Sequence, residues 1–170
     1  MLCKSRLAPI ICGLSLALAA CGFGGKATTA DPISAEKSSE AFMVARAREP
    51  GVVKTPSGLL YKVLASGPTN GPHPGLRDEV KIDYVGQLPS GEVFDSTSAR
   101  GVPAVLRVGD LVPAWQEALP LMRPGDAWIL YVPPKLGYGA EGAGSAIPPN
   151  SALVFKIKLL GVLEAGPAKV

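Results

Sequence analysis

The sequence has 170 residues, of which 47% are hydrophobic and 18% charged, with a formal net charge of +3, and a chain of this length has room for one ordinary domain. Its 20 Gly and 17 Pro residues stay below the roughly 25–30% at which low-complexity disorder is expected, so the chain should fold with many turns. Three Cys and one His are too few for the usual four-ligand zinc site unless carboxylates join them, so we expect no metal site. We also expect no cofactor.

The first 20 residues predict an export signal. Lys4 and Arg6 precede an uncharged run of 14 residues, Leu7 to Ala20, which is shorter than the roughly 20 residues that a membrane-spanning helix needs. A charged start, a short apolar middle and small residues at the end are typical of a cleaved signal peptide. We therefore interpret residues 1–20 as a signal peptide.

The end of this segment resembles the lipobox of bacterial lipoproteins. It reads Leu18-Ala19-Ala20-Cys21, and in a lipobox the Cys is acylated and becomes the first residue of the mature chain. The resemblance implies a lipid anchor on Cys21 that holds the protein at a membrane without spanning it. An ordinary Ala-x-Ala cleavage site, or chance, is the alternative. Gly22 favours outer-membrane sorting by analogy with other lipoproteins, so we expect a lipid-anchored protein of the bacterial cell envelope, in the outer membrane facing the periplasm or at the surface.

Removal of the signal changes the cysteine and charge balance. Cys3 and Cys12 leave with it, and a lipid on Cys21 leaves the mature chain without a free thiol or a disulfide. Loss of Lys4 and Arg6 leaves 15 basic side chains against 14 acidic ones. Because the net charge thereby falls from +3 to +1, we expect no nucleic-acid binding.

A tether and a short helix follow, and together they make residues 21–51. The small and polar residues after the lipobox indicate a flexible tether. Asp31 is placed to cap a helix with Pro32 at its first position, and Ala35–Arg48 contains only helix-tolerant residues before Pro50 ends it. Since the apolar residues form no clean stripe, we expect this helix to dock by a small patch.

From residue 52 onward, short apolar stretches separated by Gly and Pro predict strands. Alternation in Glu79–Leu88 and Leu153–Leu159 favours one buried face and one solvent-facing face. Ala127–Val132 is apolar on both faces and should be central, and Leu59–Leu64 is a further candidate strand. The prolines and glycines of Thr69–Gly75 predict an irregular loop.

The one helix predicted in this part begins near Pro113 and covers Ala114–Leu119. Pro120 should stop or kink it, because proline has no N–H for the carbonyl of Gln116. The expected class is therefore α+β: a curved antiparallel sheet of about five strands wrapped on one short α-helix, with a short N-terminal helix.

Three stretches resemble the signatures of the FKBP-type peptidyl-prolyl cis-trans isomerases. They are Val80-x-Ile82-x-Tyr84-x-Gly86-x-Leu88-x-x-Gly91-x-x-Phe94-Asp95-Ser96, then Leu111-Val112-Pro113-Ala114-Trp115-x-Glu117-Ala118-Leu119, and finally Leu136-Gly137-Tyr138-Gly139 with Ile147-Pro148-Pro149-Asn150 and Leu153-Val154-Phe155. Each stretch alone is a weak signal, but their order and spacing together are specific. Ser57-Gly58-Leu59-x-Tyr61 and the lipoprotein signal look most like the Mip-type branch of bacterial envelope isomerases.

The resemblance implies an FKBP-like isomerase domain over residues 52–163, followed by a tail at 164–170. Its reaction is rotation about Xaa-Pro bonds of exported proteins, which makes and breaks no covalent bond and calls for a dry aromatic pocket rather than a nucleophile or base. The catalytic residues that it implies are Asp95, Tyr138 and Phe94. The implied substrate-binding residues are Tyr84, Leu111, Val112, Trp115, Ile147 and Phe155.

Structural roles are the alternatives for these residues taken one at a time. Core packing explains the aromatic residues Tyr84, Phe94 and Phe155, a self-capped turn explains Asp95, and a helix-to-sheet anchor explains Trp115. Their joint pattern favours a functional site. For the whole protein, the alternatives to an isomerase are a non-catalytic proline-directed peptide-binding or chaperone module and a purely structural envelope lipoprotein.

The expected partners are proline-containing polypeptides of the cell envelope, macrolides of the tacrolimus and rapamycin type, and a membrane through the lipid anchor. Ala104 and Leu106 stand where many relatives have Phe, which should weaken macrolide binding more than turnover. Only about 30 residues separate Cys21 from Val52, too few for a long dimerisation helix, so we expect a monomer. His73 lies in a Pro/Gly loop and is interpreted as a solvated residue.

Overall fold

A computed structural model of the chain describes residues 32–163. The expected signal peptide, Cys21, Asp31 and the tail at 164–170 lie outside the described residues. The helices are α1 (Pro32–Ala47), α2 (Thr97–Arg100) and α3 (Pro113–Ala118). The strands are β1 (Val52–Lys54), β2 (Leu60–Ala65), β3 (Glu79–Gln87), β4 (Val93–Ser96), β5 (Ala104–Arg107), β6 (Ala127–Val132) and β7 (Leu153–Leu163).

The seven strands form one antiparallel sheet in the order β1-β2-β6-β7-β3, and β3 has two different partners on its other side. β5 pairs with Glu79–Ile82, whereas β4 pairs with Val85–Gln87. The chain between β4 and β5 makes the single turn of α2. This edge of the sheet is therefore interrupted opposite the middle of β3.

The predicted α+β class is confirmed, and the predicted strands are present as β2, β3, β6 and β7. β6 is central as predicted, because it pairs with β2 on one side and β7 on the other. The sheet has seven strands rather than about five, since β1, β4 and β5 are only three or four residues long. Such short segments cannot display an alternating pattern.

The hydrophobic core lies between α3 and one face of the sheet, the inner face. Alternate residues of β3 and β7 enter it, among them Ile82 and Ile157, and α3 contributes Trp115 and Ala118. Pro113 occupies the first turn of α3, where its missing N–H leaves no helical bond unmade. The helix ends as predicted, because Pro120 lies in a separate 3-10 turn that follows it.

α1 packs on the opposite, outer face. Tyr131 alternates with the core residues Leu130 and Val132 along β6, and its ring meets that of Phe42 edge-on with centroids 6.1 Å apart. Ser39 is the one buried side chain of α1 among its described residues. This small contact area agrees with the absence of an apolar stripe in the sequence. No helix within residues 32–163 is long and apolar enough to cross a membrane.

Candidate active site

A cavity of about 100 Å³ opens between the inner face of the sheet, α3 and the loop after β6. Pockets for drug-sized ligands measure about 300–1,000 Å³, so this cavity has room for one small ring. Eight of the nine predicted catalytic and substrate-binding residues line it. The complete lining is Tyr84, Phe94, Asp95, Leu106, Leu111, Val112, Trp115, Tyr138 and Phe155.

Four aromatic rings form a connected wall. Trp115 meets Tyr84 and Phe155 edge-to-face, each at 5.1 Å between ring centroids, and Phe155 meets Phe94 in the same way at 5.7 Å. Each pair of this geometry contributes about 0.5–1.5 kcal/mol beyond the burial of its surface. The rings therefore hold one another in place, and the same contacts both pack the core and form the wall of the cavity.

Gly86 lets two of these rings close onto β3. A Cβ atom at Gly86 would lie 2.6 Å from the ring of Phe94 and 3.0 Å from the ring of Phe155, closer than side-chain atoms pack. Gly86 belongs to the first family motif and to the alternating segment Glu79–Leu88, from which no role was predicted for it. A glycine inside a strand of larger residues is the signal that marks such a close approach.

Asp95 is held at the cavity by two hydrogen-bond donors. Tyr84 donates its phenolic O–H to Oδ2 of Asp95, and Nη1 of Arg100 donates to Oδ1 at 2.8 Å. Arg100 also donates through Nη2 to the Tyr84 hydroxyl at 2.8 Å, and its guanidinium carbon lies 5.4 Å from the centroid of the Tyr84 ring. We call these three residues the inner cluster. Its closed hydrogen-bond triangle fixes the direction of the carboxylate.

The surroundings of the inner cluster keep Tyr84 protonated. Burial raises the pKa of the Tyr84 phenol, and its hydrogen bond to Asp95 raises that pKa further. The bond between Tyr84 and Arg100 raises the pKa of the guanidinium. At neutral pH, Tyr84 thus stays a donor and Arg100 stays charged. Among residues 32–163, no group of three or more His, Cys, Asp and Glu side chains could hold a metal ion.

The interrupted sheet edge positions Arg100. The Thr97 hydroxyl accepts the Tyr84 N–H at 3.0 Å and so replaces the missing strand partner. Ser96 caps α2 by accepting the N–H of Ser98 at 3.1 Å. This turn brings Arg100 back to Asp95. Sequence reasoning missed Arg100, although a basic residue one helical turn after an Asp-Ser-Thr sequence was an available signal.

Tyr138 and Ile147 belong to the flap, residues 137–152. Tyr138 lines the cavity and is 39% exposed. Ile147 is buried in the core and is not among the lining residues; its backbone pairs with that of Ala143 at 2.8 and 3.1 Å. Ile147 shares the core cluster with Tyr84, Trp115 and Phe155, and its role in substrate binding stays a prediction. Leu106 also lines the cavity, although only an effect on macrolide binding was predicted for it from the sequence.

Residues 71–160, more than half of the chain, match the family model of the FKBP-type peptidyl-prolyl cis-trans isomerase. The chain belongs to this FKBP family. Residues 26–63 match a second model, the domain amino terminal to FKBP-type peptidyl-prolyl isomerase. The resemblance inferred from the sequence motifs is thereby confirmed.

Individual FKBP-family relatives agree. The chain is 48% identical over 129 residues to the peptidyl-prolyl cis-trans isomerase Mip of Coxiella burnetii, covering 76% of this chain and 55% of that protein. It is 44% identical over 126 residues to the outer membrane protein MIP of Legionella longbeachae, covering 74% and 53%. The chain thus spans about half the length of these curated relatives. A crystal structure of a peptidyl-prolyl cis-trans isomerase from Pseudomonas syringae superposes with a TM-score of 0.74 at 36% identity, covering 81% of this chain and 99% of that one.

Proposed function

We propose that this protein is a peptidyl-prolyl cis-trans isomerase that acts on Xaa-Pro bonds of exported polypeptides. The observation that carries the proposal is a small aromatic cavity with a carboxylate fixed beside it, found in a member of the FKBP family. The proposed catalytic unit is the segment from residue 52 to 163.

The reaction asks for a place in which a twisted amide is more stable than it is in water. Rotation about a peptide bond has a barrier of about 18–20 kcal/mol, because it breaks amide resonance, and at prolyl bonds it takes tens to hundreds of seconds. A twisted amide is less polar than a planar one and loses less on leaving water. The aromatic wall and the neighbouring Leu111 and Val112 supply such surroundings.

The residues then divide into three roles. Trp115 forms the cavity floor, and Tyr84, Phe94 and Phe155 enclose the prolyl ring. Asp95, held by Tyr84 and Arg100, orients the twisting amide. Tyr138 donates its hydroxyl to a substrate carbonyl and so keeps the rest of the peptide still while one bond turns. Ile147, which lies in the same core cluster as Trp115, completes the substrate-binding set.

A non-catalytic proline-directed binding or chaperone module is the alternative. The inner cluster favours the enzyme, because a peptide holder has no need of a carboxylate fixed by two donors. The isomerase and the binding module are distinguished by measuring the cis-trans exchange of an Ala-Leu-Pro-Phe peptide by NMR with catalytic amounts of protein. We expect acceleration by the wild type and its loss in Asp95→Ala. Peptide binding without acceleration in the wild type would establish the binding module instead.

We further propose that the protein works in the bacterial cell envelope, anchored by a lipid on Cys21. The name of the Legionella relative, outer membrane protein MIP, supports the compartment, and the Leu18-Ala19-Ala20-Cys21 sequence supports the anchor. Metabolic labelling with palmitate should reach the wild type and not Cys21→Ser; labelling that survives this substitution contradicts the anchor. We also propose that the protein is a monomer. We expect weak binding of tacrolimus-type macrolides, because Leu106, at a position where many relatives have Phe, lines the cavity.

A further inference from the structure

Ser39 links α1 to the flap through both hydrogen-bonding capacities of its hydroxyl. Its Oγ donates to the carbonyl of Asn150 at 2.7 Å and accepts the N–H of Ala152 at 2.8 Å. The side chain is 5% exposed. Ser39 thereby bridges α1 to residues 111 and 113 positions away in the sequence. No other described side chain of α1 is buried, so this connection is specific.

One further hydrogen bond carries this connection towards the cavity: the N–H of Asn150 donates to the carbonyl of Gly139, the residue after Tyr138, at 2.8 Å. Within the flap, the N–H of Gly142 donates to the carbonyl of Tyr138 at 3.1 Å. Asn150 has a φ of 55°, a left-handed conformation that few residues other than glycine adopt. Its N–H and its carbonyl thus have different partners, the flap start and α1 respectively. Ser39 is two hydrogen bonds from the residue that follows Tyr138.

Little else joins α1 to the base of the flap. An open groove of about 560 Å³ runs between them, and Ser39, Gly139 and Asn150 all line it. The aromatic and charged contacts of α1 lie elsewhere, around Phe42 and Tyr131. Among residues 32–163, the two bonds of Ser39 are the side-chain hydrogen bonds that join α1 to the flap.

We infer that Ser39 is a positioning residue: through Asn150 and Gly139, α1 fixes the base of the flap and holds Tyr138 at the cavity. The inference rests on the proposed isomerase function for its catalytic consequence and on the hydrogen bonds alone for its structural one. α1, which precedes the catalytic unit, then contributes to the active site indirectly, because Ser39 contacts the flap and none of the residues that line the cavity.

The test compares Ser39→Ala with Ser38→Ala in the otherwise complete protein. Ser38 is the adjacent, exposed serine of the same helix, so the control removes the same group without touching the flap. In Ser39→Ala we expect the Asn150 and Ala152 amides to exchange hydrogen about tenfold faster or more. The KM for the Ala-Leu-Pro-Phe peptide should rise about three- to tenfold with kcat changed less than twofold, because Tyr138 binds the substrate backbone. Ser38→Ala should match the wild type in every measurement.

A double-mutant cycle with Tyr138→Phe tests the route. If Ser39 acts through the Tyr138 hydroxyl, Ser39→Ala has less effect on KM in the Tyr138→Phe background than in the wild type; equal effects in both backgrounds overturn the route. Flap amides that exchange alike in Ser39→Ala and Ser38→Ala overturn the inference itself, whether or not the wild type is active. A wild type without isomerase activity refutes the proposed function, and the exchange rates still decide the structural link.

Discussion

Two clusters of the same chemical kinds lie on opposite faces of one sheet. The inner cluster is Tyr84, Asp95 and Arg100, and the outer cluster is Tyr131, Glu49 and Arg46. In each, the phenol donates to a carboxylate and the arginine pairs with that carboxylate. In each, the guanidinium also lies over the tyrosine ring, at 5.4 Å in the inner cluster and 5.5 Å in the outer one.

The clusters differ in what lies beside them. Tyr84 and Asp95 border the cavity, whereas Tyr131 is covered by Phe42, over whose ring Arg46 also lies at 4.8 Å. The outer cluster thus fastens α1 to the sheet, and the inner one presents its carboxylate to a space that a ring can enter. A constellation of side chains is a site only where the packing around it leaves room for a substrate.

The largest effect on stability and activity should come from Gly86→Ala, which alters the inner face of the sheet. The added methyl group pushes Phe94 off β3 and should lower the free energy of unfolding by about 1–3 kcal/mol, with a loss of isomerase activity of at least thirtyfold. Gly161→Ala in β7 is the matched control, since no atom lies within 4 Å of its Cβ position. Denaturant unfolding measures the stability of both variants, and the peptide assay measures their activity. Full activity in Gly86→Ala would contradict the role of the aromatic wall.

Next in size is the pair Asp95→Asn and Glu49→Gln. Each removes one negative charge from one cluster and keeps the shape of the side chain. We expect kcat/KM to fall about tenfold in Asp95→Asn and to stay within twofold in Glu49→Gln. Both carboxylates are partly exposed, so each variant should lose less than about 1 kcal/mol of stability. Equal activities of the two variants would mean that Asp95, although it borders the cavity, has no catalytic role that Glu49 lacks.

A smaller contrast is expected from Tyr84→Phe and Tyr131→Phe. Tyr84→Phe leaves Asp95 with Arg100 as its one side-chain donor and should lower kcat/KM about threefold, because the carboxylate is less well oriented. Tyr131→Phe removes a 3.2 Å hydrogen bond to Glu49 and should weaken α1 docking without changing kcat/KM. Steady-state kinetics and thermal unfolding of both variants give the comparison. A drop in activity in Tyr131→Phe alone would reverse it.

The smallest effect concerns alkaline pH. The pKa values of Tyr84 and Tyr131 are both raised above the ordinary 10.0, chiefly by burial. The stability that each protonated phenol contributes is therefore present below pH 10 and is lost as the pH rises through its raised pKa. Because deprotonation of Tyr84 also removes a donor to Asp95, kcat/KM should fall as the pH rises through the raised pKa of Tyr84, both in the wild type and in Tyr131→Phe. This fall should be absent in Tyr84→Phe, and its persistence there would assign it to another group.

Local sequence patterns predicted much of the fold. Alternation in β3 and β7 and the prolines around α3 are short-range signals, and the structure follows them. The short strands β4 and β5 escaped prediction because four residues are too few to show an alternating pattern. The connection from Ser39 to Asn150 could not be predicted for a different reason: it joins residues 111 positions apart, and no local pattern around Ser39 indicates it.

The site was predicted in a similarly uneven way. The family motifs identified eight of the lining residues, since those motifs combine distant segments that no local pattern could join. Arg100 lies in a four-residue helix outside the quoted motifs, so its pairing with Asp95 emerged from the structure. Ile147 came from the same motifs; it lies in the core cluster with Trp115 and outside the cavity lining, and its role in substrate binding stays a prediction.

Catalysis in this cavity is tested most directly by following the two tryptophan indoles by NMR while an Ala-Leu-Pro-Phe peptide is added. Trp115 lines the cavity, Trp128 does not, and neither buried indole N–H has a hydrogen-bond partner among residues 32–163. We predict that the Trp115 signal shifts, that the Trp128 signal stays in place, and that exchange peaks between the cis and trans forms of the peptide appear in the same sample. A peptide that shows accelerated exchange while the Trp115 signal stays unchanged, or no acceleration at saturating peptide, would contradict catalysis in this cavity.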